Sequence, residues 1–357
     1  MNKPSSAGSP PARPRIDLDA ISEEDLLKVR VCDLPLTIEG TWLKECIGQL
    51  YQELDVQKII YHPPCYLAEE WLTPENEPVI GIPFYLAHPA LIRLEKKLML
   101  EVEGETREWC MKLLRHEAGH ALCYAYKLNR KKKFRELFGS SSQKYGDTYR
   151  FRPYSKNYVR HLEGFYAQYH PDEDFVETFA VWLTPGENWE EKYKGWKAYD
   201  KLKYVDRVMH SISGKPALVS KGRRYWEWRG MQITLRHFYK KRRTFNAEDF
   251  PDFHDGNLKR VFKVRGEETK GMPSARDILK KYRKEILNDL AHWTGEKKYI
   301  AGDLLKTINK RCRELRLVAA EPEPAVVIKL TAYLTTLIMN YRYTGWFRGD
   351  KTKRLSP

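Results

Sequence analysis

The sequence predicts an α+β fold in which a small sheet lies beside a buried helix, followed by a mainly helical C-terminal region. Short apolar stretches between residues 79 and 102 indicate strands. Apolar residues at helical spacing dominate most of the remaining chain, above all beyond residue 274. Hydrophobic residues make up 42% of the 357 residues, enough for a sizeable core. At roughly 150 residues per domain, the length indicates about two domains.

The composition changes along the chain and divides it into four predicted parts. A Pro/Ser-rich disordered tail at 1–25 precedes the α+β domain at 26–215. A basic connecting region follows at 216–270, and the helical C-terminal region occupies 271–357. Within the last part, breaks at 294–295 and 321–324 separate three helices at about 275–293, 302–318 and 324–342.

Local patterns predict the elements of the α+β domain. Thr106 has the residue type and position of an N-cap for a helix that runs to about Leu128. Pro171 is placed to start a second helix, which the Thr-Pro-Gly sequence at 184–186 ends. Leu98, Leu100 and Val102 alternate with less apolar residues and predict a strand. The further predicted elements are a helix at Trp42–Leu54, a strand at Val79–Leu86 and a helix at Trp189–Met209.

Several classes of protein are excluded or disfavoured by composition. No run of about 18 apolar residues is present, so no transmembrane helix is expected, and the N-terminus lacks the apolar stretch of a secretory signal. The six cysteines are scattered without a CxxC pair. Cys110 and Cys123 are predicted to lie about 20 Å apart on one helix, too far for a disulfide. We therefore expect reduced thiols in a cytoplasmic protein.

The most informative motif is His-Glu-x-x-His at residues 116–120. Residues four apart lie on the same face of a helix, so His116 and His120 can present two imidazoles to one metal ion. Glu117 lies beside them and can reach a water on that metal. The flanking residues 113–114, 121–122 and 125 are apolar and anchor the helix in a core. We interpret Gly119 as removing a side chain close to the metal.

A zinc ion bound by two histidines needs a third protein ligand and an open position for water. The helix after Pro171 offers Glu173 and Glu177, again four residues apart. One of these carboxylates can bind the metal, and the other can accept the second ring N–H of a ligating histidine. Asp174 is the main rival for the ligand position, and His170 is another.

These two segments together resemble the gluzincin metallopeptidases. The sequence Tyr-Ala-x-x-His-Pro-x-Glu-Asp-Phe-x-Glu-Thr-Phe-Ala at 166–180 is similar to the putative zinc-binding metallopeptidases of bacteria, and also to the protease domain of lethal-factor-type toxins. The resemblance covers about 106–185 and implies a zincin-like domain. It implies that one zinc ion per chain is bound by His116, His120 and Glu173, with Glu177 as the acceptor for a ligating histidine.

The motif and the resemblance together predict peptide-bond hydrolysis. Zinc would lower the pKa of its water and polarise the scissile carbonyl, while Glu117 would act as general base. A hydrogen-bond donor must also stabilise the tetrahedral oxyanion. The candidates for this donor are Tyr166, Tyr169 and His170, although each tyrosine has packing as an alternative role.

Two basic segments leave the choice of partner open. The first, Lys127–Arg160, has eleven basic and two acidic residues and joins the two halves of the predicted site. It is either a rim that favours acidic peptide or protein substrates or a solvated insertion. The second, Lys221–Arg243, interleaves nine basic residues with aromatic ones. Its aromatic residues either stack on bases or pack in a core.

The overall charge is consistent with either reading of these segments. The net charge of +15, from 63 basic and 48 acidic residues, favours acidic partners. A nucleic-acid-associated protein with a secondary or inactive metal site is therefore the alternative function.

Overall fold

The computed structural model describes residues 16–145, 151–242 and 253–344. Within these ranges the protein is mostly helical, with two small two-stranded sheets. The helices that precede residue 243 are α1 (Glu23–Leu26), α2 (Trp42–Val56), α3 (Pro89–Met99), α4 (Arg107–Ala125), α5 (Lys132–Leu137), α6 (Pro171–Leu183), α7 (Trp189–Lys192), α8 (Ala198–Ile212) and α9 (Leu235–Arg242). Those that follow are α10 (Asp255–Val261), α11 (Ala275–Lys281), α12 (Arg283–Thr294), α13 (Lys298–Glu314) and α14 (Glu323–Thr344). Among all the described residues, no helix combines the length and apolar composition needed to cross a membrane.

The first sheet pairs β1 (Cys65–Ala68) with β2 (Ile80–Pro83) in parallel, in a register that sets Cys65 opposite Ile80. Strand β2 contacts α4, so the predicted small sheet beside the motif helix is present. The second sheet pairs β3 (Lys263–Val264) with β4 (Leu317–Val318) in antiparallel fashion. This mixture agrees with the α+β class.

Helix α4 lies at the centre of the first hydrophobic cluster, where it contacts α2, α6 and β2. Almost every residue from 110 to 125 is buried. Arg115 and Glu53 form a buried ion pair with an Nη2–Oε1 distance of 2.7 Å, which joins α4 to α2. The Thr106 side chain accepts a hydrogen bond from the Trp109 N–H, so the predicted N-cap is confirmed. A deeply buried helix holds its side chains in fixed positions, as a metal site requires.

The predicted strand at Leu98–Val102 is wrong. Helix α3 continues to Met99, and Leu100 follows in a left-handed conformation with φ of 65°. The buried residues Leu91, Glu95 and Met99 are spaced four apart, as on one face of a helix. Five alternating residues are too few to distinguish the two-residue period of a strand from the 3.6-residue period of a helix. The strand predicted at 79–86 is shorter than expected, because residues 84–87 form a 3-10 helix.

Some other boundaries also differ from the predictions. The helix predicted at Trp189–Met209 is divided into α7 and α8, and Gly195 between them has a positive φ of 78°. The helix predicted at 275–293 is divided at Tyr282 into α11 and α12. Of the predicted tail, residues 1–15 lie outside the described residues. Residues 16–25 include the buried Leu18 and the start of α1.

A second hydrophobic cluster is built from α10 to α14 and spans Leu258 to Ile338. It meets the first cluster where α13 contacts α3. The first cluster extends to Tyr239, so Trp228, Leu235 and Phe238 of the predicted connecting region belong to that core. The division into four parts stays a prediction.

Candidate metal centre

Helix α4 presents His116 and His120 on one face, as their spacing predicts. Their ring centroids are 5.2 Å apart, and both side chains are buried. Glu117 lies on the adjoining face and is buried as well. Thr73 donates a hydrogen bond from Oγ1 to the main-chain oxygen of Glu117 at 3.1 Å, which places the 70–75 segment next to the motif.

Helix α6 supplies the second half of the site. It starts with Pro171 at its first turn and ends before Thr184, both as predicted. Every residue of α6 is buried, including its acidic first turn. Acidic side chains at a helix N-terminus are favoured by the helix dipole, which lowers the cost of burying them there.

Gly119 sets the distance between α4 and α6. A Cβ atom at this position would lie 2.9 Å from Val176 Cβ and 3.0 Å from a ring carbon of Phe179. The first distance is shorter than real Cβ contacts, and the second is at the tight end of them. The interpretation that Gly119 removes a side chain close to the metal stays a prediction, whereas its role in helix packing follows from these distances. Gly119 allows the two helices to approach each other closely enough for their polar side chains to meet.

The side chains of His116, His120 and Glu173 converge on one point. Oε2 of Glu173 is 3.2 Å from Nε2 of His116 and 3.4 Å from Nε2 of His120. One ligand atom from each of the three residues lies within 4.8 Å of the others. Zinc bonds of about 2.0–2.1 Å in tetrahedral geometry separate two donor atoms by about 3.3 Å. The two distances from Oε2 of Glu173 fit a metal ion of this size.

Two buried carboxylate oxygens at this point lack hydrogen-bond partners among the described residues. They are Oε2 of Glu173, which faces the two histidines, and Oε2 of Glu117. A buried carboxylate oxygen without a partner is costly. Coordination of a cation by Glu173 and a hydrogen bond from water to Glu117 would satisfy both atoms.

Glu177 orients the first histidine. Its Oε1 lies 2.8 Å from Nδ1 of His116, and its Oε2 accepts a hydrogen bond from the Leu162 N–H at 2.8 Å. Because an ionised carboxylate can only accept, Nδ1 of His116 carries the proton and Nε2 keeps its lone pair for a metal. This is the arrangement that tunes metal-binding histidines in proteins.

The electrostatics of the cluster match a cation site. Burial by itself lowers the pKa of His116, but the adjoining carboxylates of Glu173 and Glu177 outweigh it and raise the pKa well above its ordinary range. Burial by itself raises the pKa of Glu173, yet the two imidazoles outweigh it and lower that pKa. The cluster therefore stabilises positive charge at its centre, either as a proton or as a metal ion.

Glu117 has a different environment. Burial raises the pKa of its carboxyl group, and the nearby histidines oppose this only in part. A carboxylate with a raised pKa is a better proton acceptor at neutral pH than an exposed one.

The candidate oxyanion donors occupy different positions. The Tyr166 ring is 5.6 Å from the His116 ring, and no hydrogen bond joins its hydroxyl to another residue in the described part of the chain. The Tyr169 ring packs against those of Tyr166 and Tyr145, at centroid distances of 5.8 and 5.5 Å.

His170 is occupied on both ring nitrogens. Its Nδ1 accepts from the Asp172 N–H at 3.1 Å, which caps α6. Its Nε2 donates to the main-chain oxygen of Gln143 at 2.7 Å. With both nitrogens bonded to the backbone, His170 orders the start of α6.

Asp174, the rival ligand, is paired elsewhere. Its Oδ2 is 2.5 Å from Nζ of Lys201 on α8, and both side chains are buried. Lys201 also donates to the main-chain oxygen of Asn157 at 2.7 Å. Burial raises the pKa of Asp174 to about 7, although Lys201 acts in the opposite direction. This ion pair fixes the first turn of α6 against α8.

Tyr145 also touches the site, although it is not among the residues that the sequence predicts there. Its hydroxyl donates a hydrogen bond to Oε1 of Glu173 at 2.9 Å. Burial raises the pKa of Tyr145, and the charge of Glu173 raises it further, so the hydroxyl stays protonated at neutral pH. Tyr145 lies 28 residues before Glu173 in a loop of mixed composition. No local pattern marked it.

The two basic segments are divided between core and surface. In the first, Phe134 and Phe138 pack on Phe175 of α6, and the loop to Tyr145 reaches the metal site. Asp147 and Arg150 of that segment lie outside the described residues. In the second segment the buried aromatic residues are Trp228, Phe238 and Tyr239, and the exposed ones are Tyr225 and Trp226. Arg243 lies outside the described residues.

The fold and the geometry define a candidate site for one metal ion, held by two histidines and a glutamate. Comparison with known proteins agrees with this class. The model of a family described as putative zinc-binding metallo-peptidase matches residues 96–206, which include every residue of the candidate site. The comparisons with curated proteins and with solved structures gave no match.

Proposed function

We propose that this chain is a zinc-dependent metallopeptidase of the gluzincin type, with one zinc ion held by His116, His120 and Glu173. The observation that carries the proposal is the convergence of these three donor atoms, together with a buried Glu117 carboxylate oxygen that has no hydrogen-bond partner among the described residues. The match of residues 96–206 to a zinc-binding peptidase family supports it. The free thiols of all six cysteines support action in the reducing cytoplasm.

The residues around the metal take distinct roles in this proposal. When bound, zinc supplies Lewis-acid polarisation and a water that ionises near neutral pH. Glu117 accepts the proton of the attacking water and passes it to the leaving amine. Glu177 holds His116 in the tautomer that leaves Nε2 free. Asp174 takes no part in the chemistry, because Lys201 engages it.

Tyr166 is the oxyanion donor in this proposal. Its ring lies next to that of His116. The negative charges of Glu173 and Glu117 interact electrostatically with its hydroxyl group. Burial raises the pKa of Tyr166, so the group stays protonated and able to donate. A buried donor near the reacting carbonyl stabilises negative charge more than an exposed one does.

We propose a peptide or protein as the substrate, with a preference for acidic sequences. Two observations support this preference. The net charge of the chain is +15, and the basic segment at 127–160 contacts the metal site through Tyr145. Acidic substrates would be attracted electrostatically to such a rim.

The test compares Glu117→Gln with wild type. Glutamine keeps the size of the side chain but cannot accept the proton, so hydrolysis of a peptide library should fall by about 10²–10⁴-fold. The zinc content should stay unchanged, because Glu117 is not a ligand. Glu108→Gln is the matched control, because Glu108 lies exposed on the same helix. The proposal fails if Glu117→Gln retains full activity or loses the metal, or if zinc-loaded wild type hydrolyses no peptide.

A further inference from the structure

The loop after α5 lies across the first turn of α6 and is bonded to it at three successive points. We call residues 140–145 the strap. Ser141 Oγ donates to Oδ1 of Asp172 at 2.5 Å, and the main-chain oxygen of Gln143 accepts from Nε2 of His170 at 2.7 Å. The Tyr145 hydroxyl donates the third hydrogen bond, to Oε1 of Glu173 at 2.9 Å. Residues 141–143 form a turn, in which the Gln143 N–H donates to the main-chain oxygen of Ser140 at 3.1 Å.

The two oxygens of Glu173 have different surroundings. Oε2 faces the Nε2 atoms of His116 and His120 and has no hydrogen bond from the described residues. Oε1 accepts the hydroxyl of Tyr145 at 2.9 Å. With Oε1 engaged, Glu173 is held so that a single oxygen points at the centre of the cluster.

We propose that Tyr145 is a positioning residue, whose hydroxyl fixes Glu173 as a ligand through Oε2 alone. This inference rests on the proposed function, because it requires Glu173 to bind the metal. A carboxylate that binds through one oxygen leaves room for water and for the substrate carbonyl in the coordination sphere. Through Tyr145, the strap therefore contributes to holding the ligand Glu173 in position.

The ring of Tyr145 is held independently of its hydroxyl. It stacks on the His170 ring with centroids 3.8 Å apart and an interplanar angle of 13°, and it meets the Tyr169 ring edge-on. The residue is nevertheless 49% exposed, so little of the hydrophobic core depends on it. The hydroxyl can therefore be removed while the ring stays in place.

Tyr145→Phe tests the inference because it keeps the ring and removes only the donor. We expect zinc affinity, measured by competition with a chelator, to fall by about 10–100-fold, the usual effect of losing a group that orients a ligand. The d–d spectrum of the cobalt-substituted protein should also shift, because the coordination of Glu173 changes. Tyr154→Phe is the matched control, because Tyr154 is 94% exposed on the same connecting segment. It should leave both measurements unchanged.

Two outcomes would overturn the role of Tyr145. In one, Tyr145→Phe binds zinc as tightly as wild type and has the same cobalt spectrum. In the other, kcat falls while zinc affinity stays the same, which would place the hydroxyl on the substrate instead. Glu173→Ala separates this inference from the proposed function. If Glu173→Ala keeps the zinc, the ligand assignment fails, whatever the result for Tyr145.

Discussion

Glu173 and Asp174 are adjacent carboxylates to which the fold gives different tasks. Glu173 faces two histidines, whereas Asp174 points to the other side of α6 and meets Lys201. The sequence alone left both as candidate ligands, since neither spacing nor residue type distinguishes them. The deciding partner, Lys201, lies 27 residues further along on another helix.

Asp174→Asn should keep the metal and lose stability. Removing one member of a buried ion pair leaves an uncompensated charge and costs about 3–5 kcal/mol in free energy of unfolding. Chemical denaturation of the metal-free protein measures this loss. The double variant Asp174→Asn with Lys201→Met removes both charges and should recover much of it. Loss of zinc from Asp174→Asn with unchanged stability would instead identify Asp174 as a ligand.

The pairing of α4 with α6 creates the site, and Gly119 determines how closely the two helices pack. Gly119→Ala should destabilise the protein by about 1–3 kcal/mol, because the added methyl group overpacks the interface with Val176 and Phe179. It should also weaken zinc binding, since Glu173 moves away from the histidines. Thermal unfolding and zinc titration measure the two effects.

Gly48→Ala provides the control for this substitution. Gly48 lies within α2, and a Cβ there would meet nothing within 4 Å. Alanine should therefore stabilise α2 by about 0.5–1 kcal/mol through helix propensity. If Gly119→Ala behaved like Gly48→Ala, the close packing of α4 on α6 would be disproved.

The sequence predicted these two helices well because their signals are local. Thr106 and Pro171 mark the helix starts, and the His and Glu pairs repeat at the helical period. Strand β1 was missed, since four residues carry little periodicity. The contacts of Tyr145 with Glu173 and of Lys201 with Asp174 depend on tertiary structure, so no single-sequence pattern could predict them.

The described chain has two large hydrophobic clusters and a small third one, and His254 is buried in the C-terminal part. Its Nδ1 lies 2.8 Å from the Tyr333 hydroxyl, which joins the start of α10 to α14. Burial lowers the pKa of His254 below its ordinary value of 6.5. The folded state therefore favours the neutral ring, and protonation favours unfolding.

This shift predicts acid sensitivity of the C-terminal cluster. The stabilising effect is present above about pH 6.5 and is lost as the pH falls through the lower folded-state pKa. His254→Gln should flatten the pH dependence of the free energy of unfolding in this range, by up to about 1.4 kcal/mol per pH unit. Urea titrations from pH 7.5 to pH 5 measure it, with exposed His237→Gln as the control. Equal slopes for wild type and His254→Gln would refute the prediction.

The net positive charge of the whole molecule leaves one alternative function, nucleic-acid binding, to be tested. Nine basic residues lie in the segment 221–243, where Tyr225 and Trp226 are exposed. A binding role for this surface predicts retention on DNA that weakens with salt and persists in Glu117→Gln.

The central claim is that His116, His120 and Glu173 form one zinc site, and metal content tests it most directly. Purified wild type should hold about one zinc per chain by elemental analysis, the stoichiometry of a mononuclear site. The double variant His116→Ala with His120→Ala should hold none, and Glu173→Ala should lose the metal on dialysis. A double variant that kept the zinc content of wild type would contradict the account.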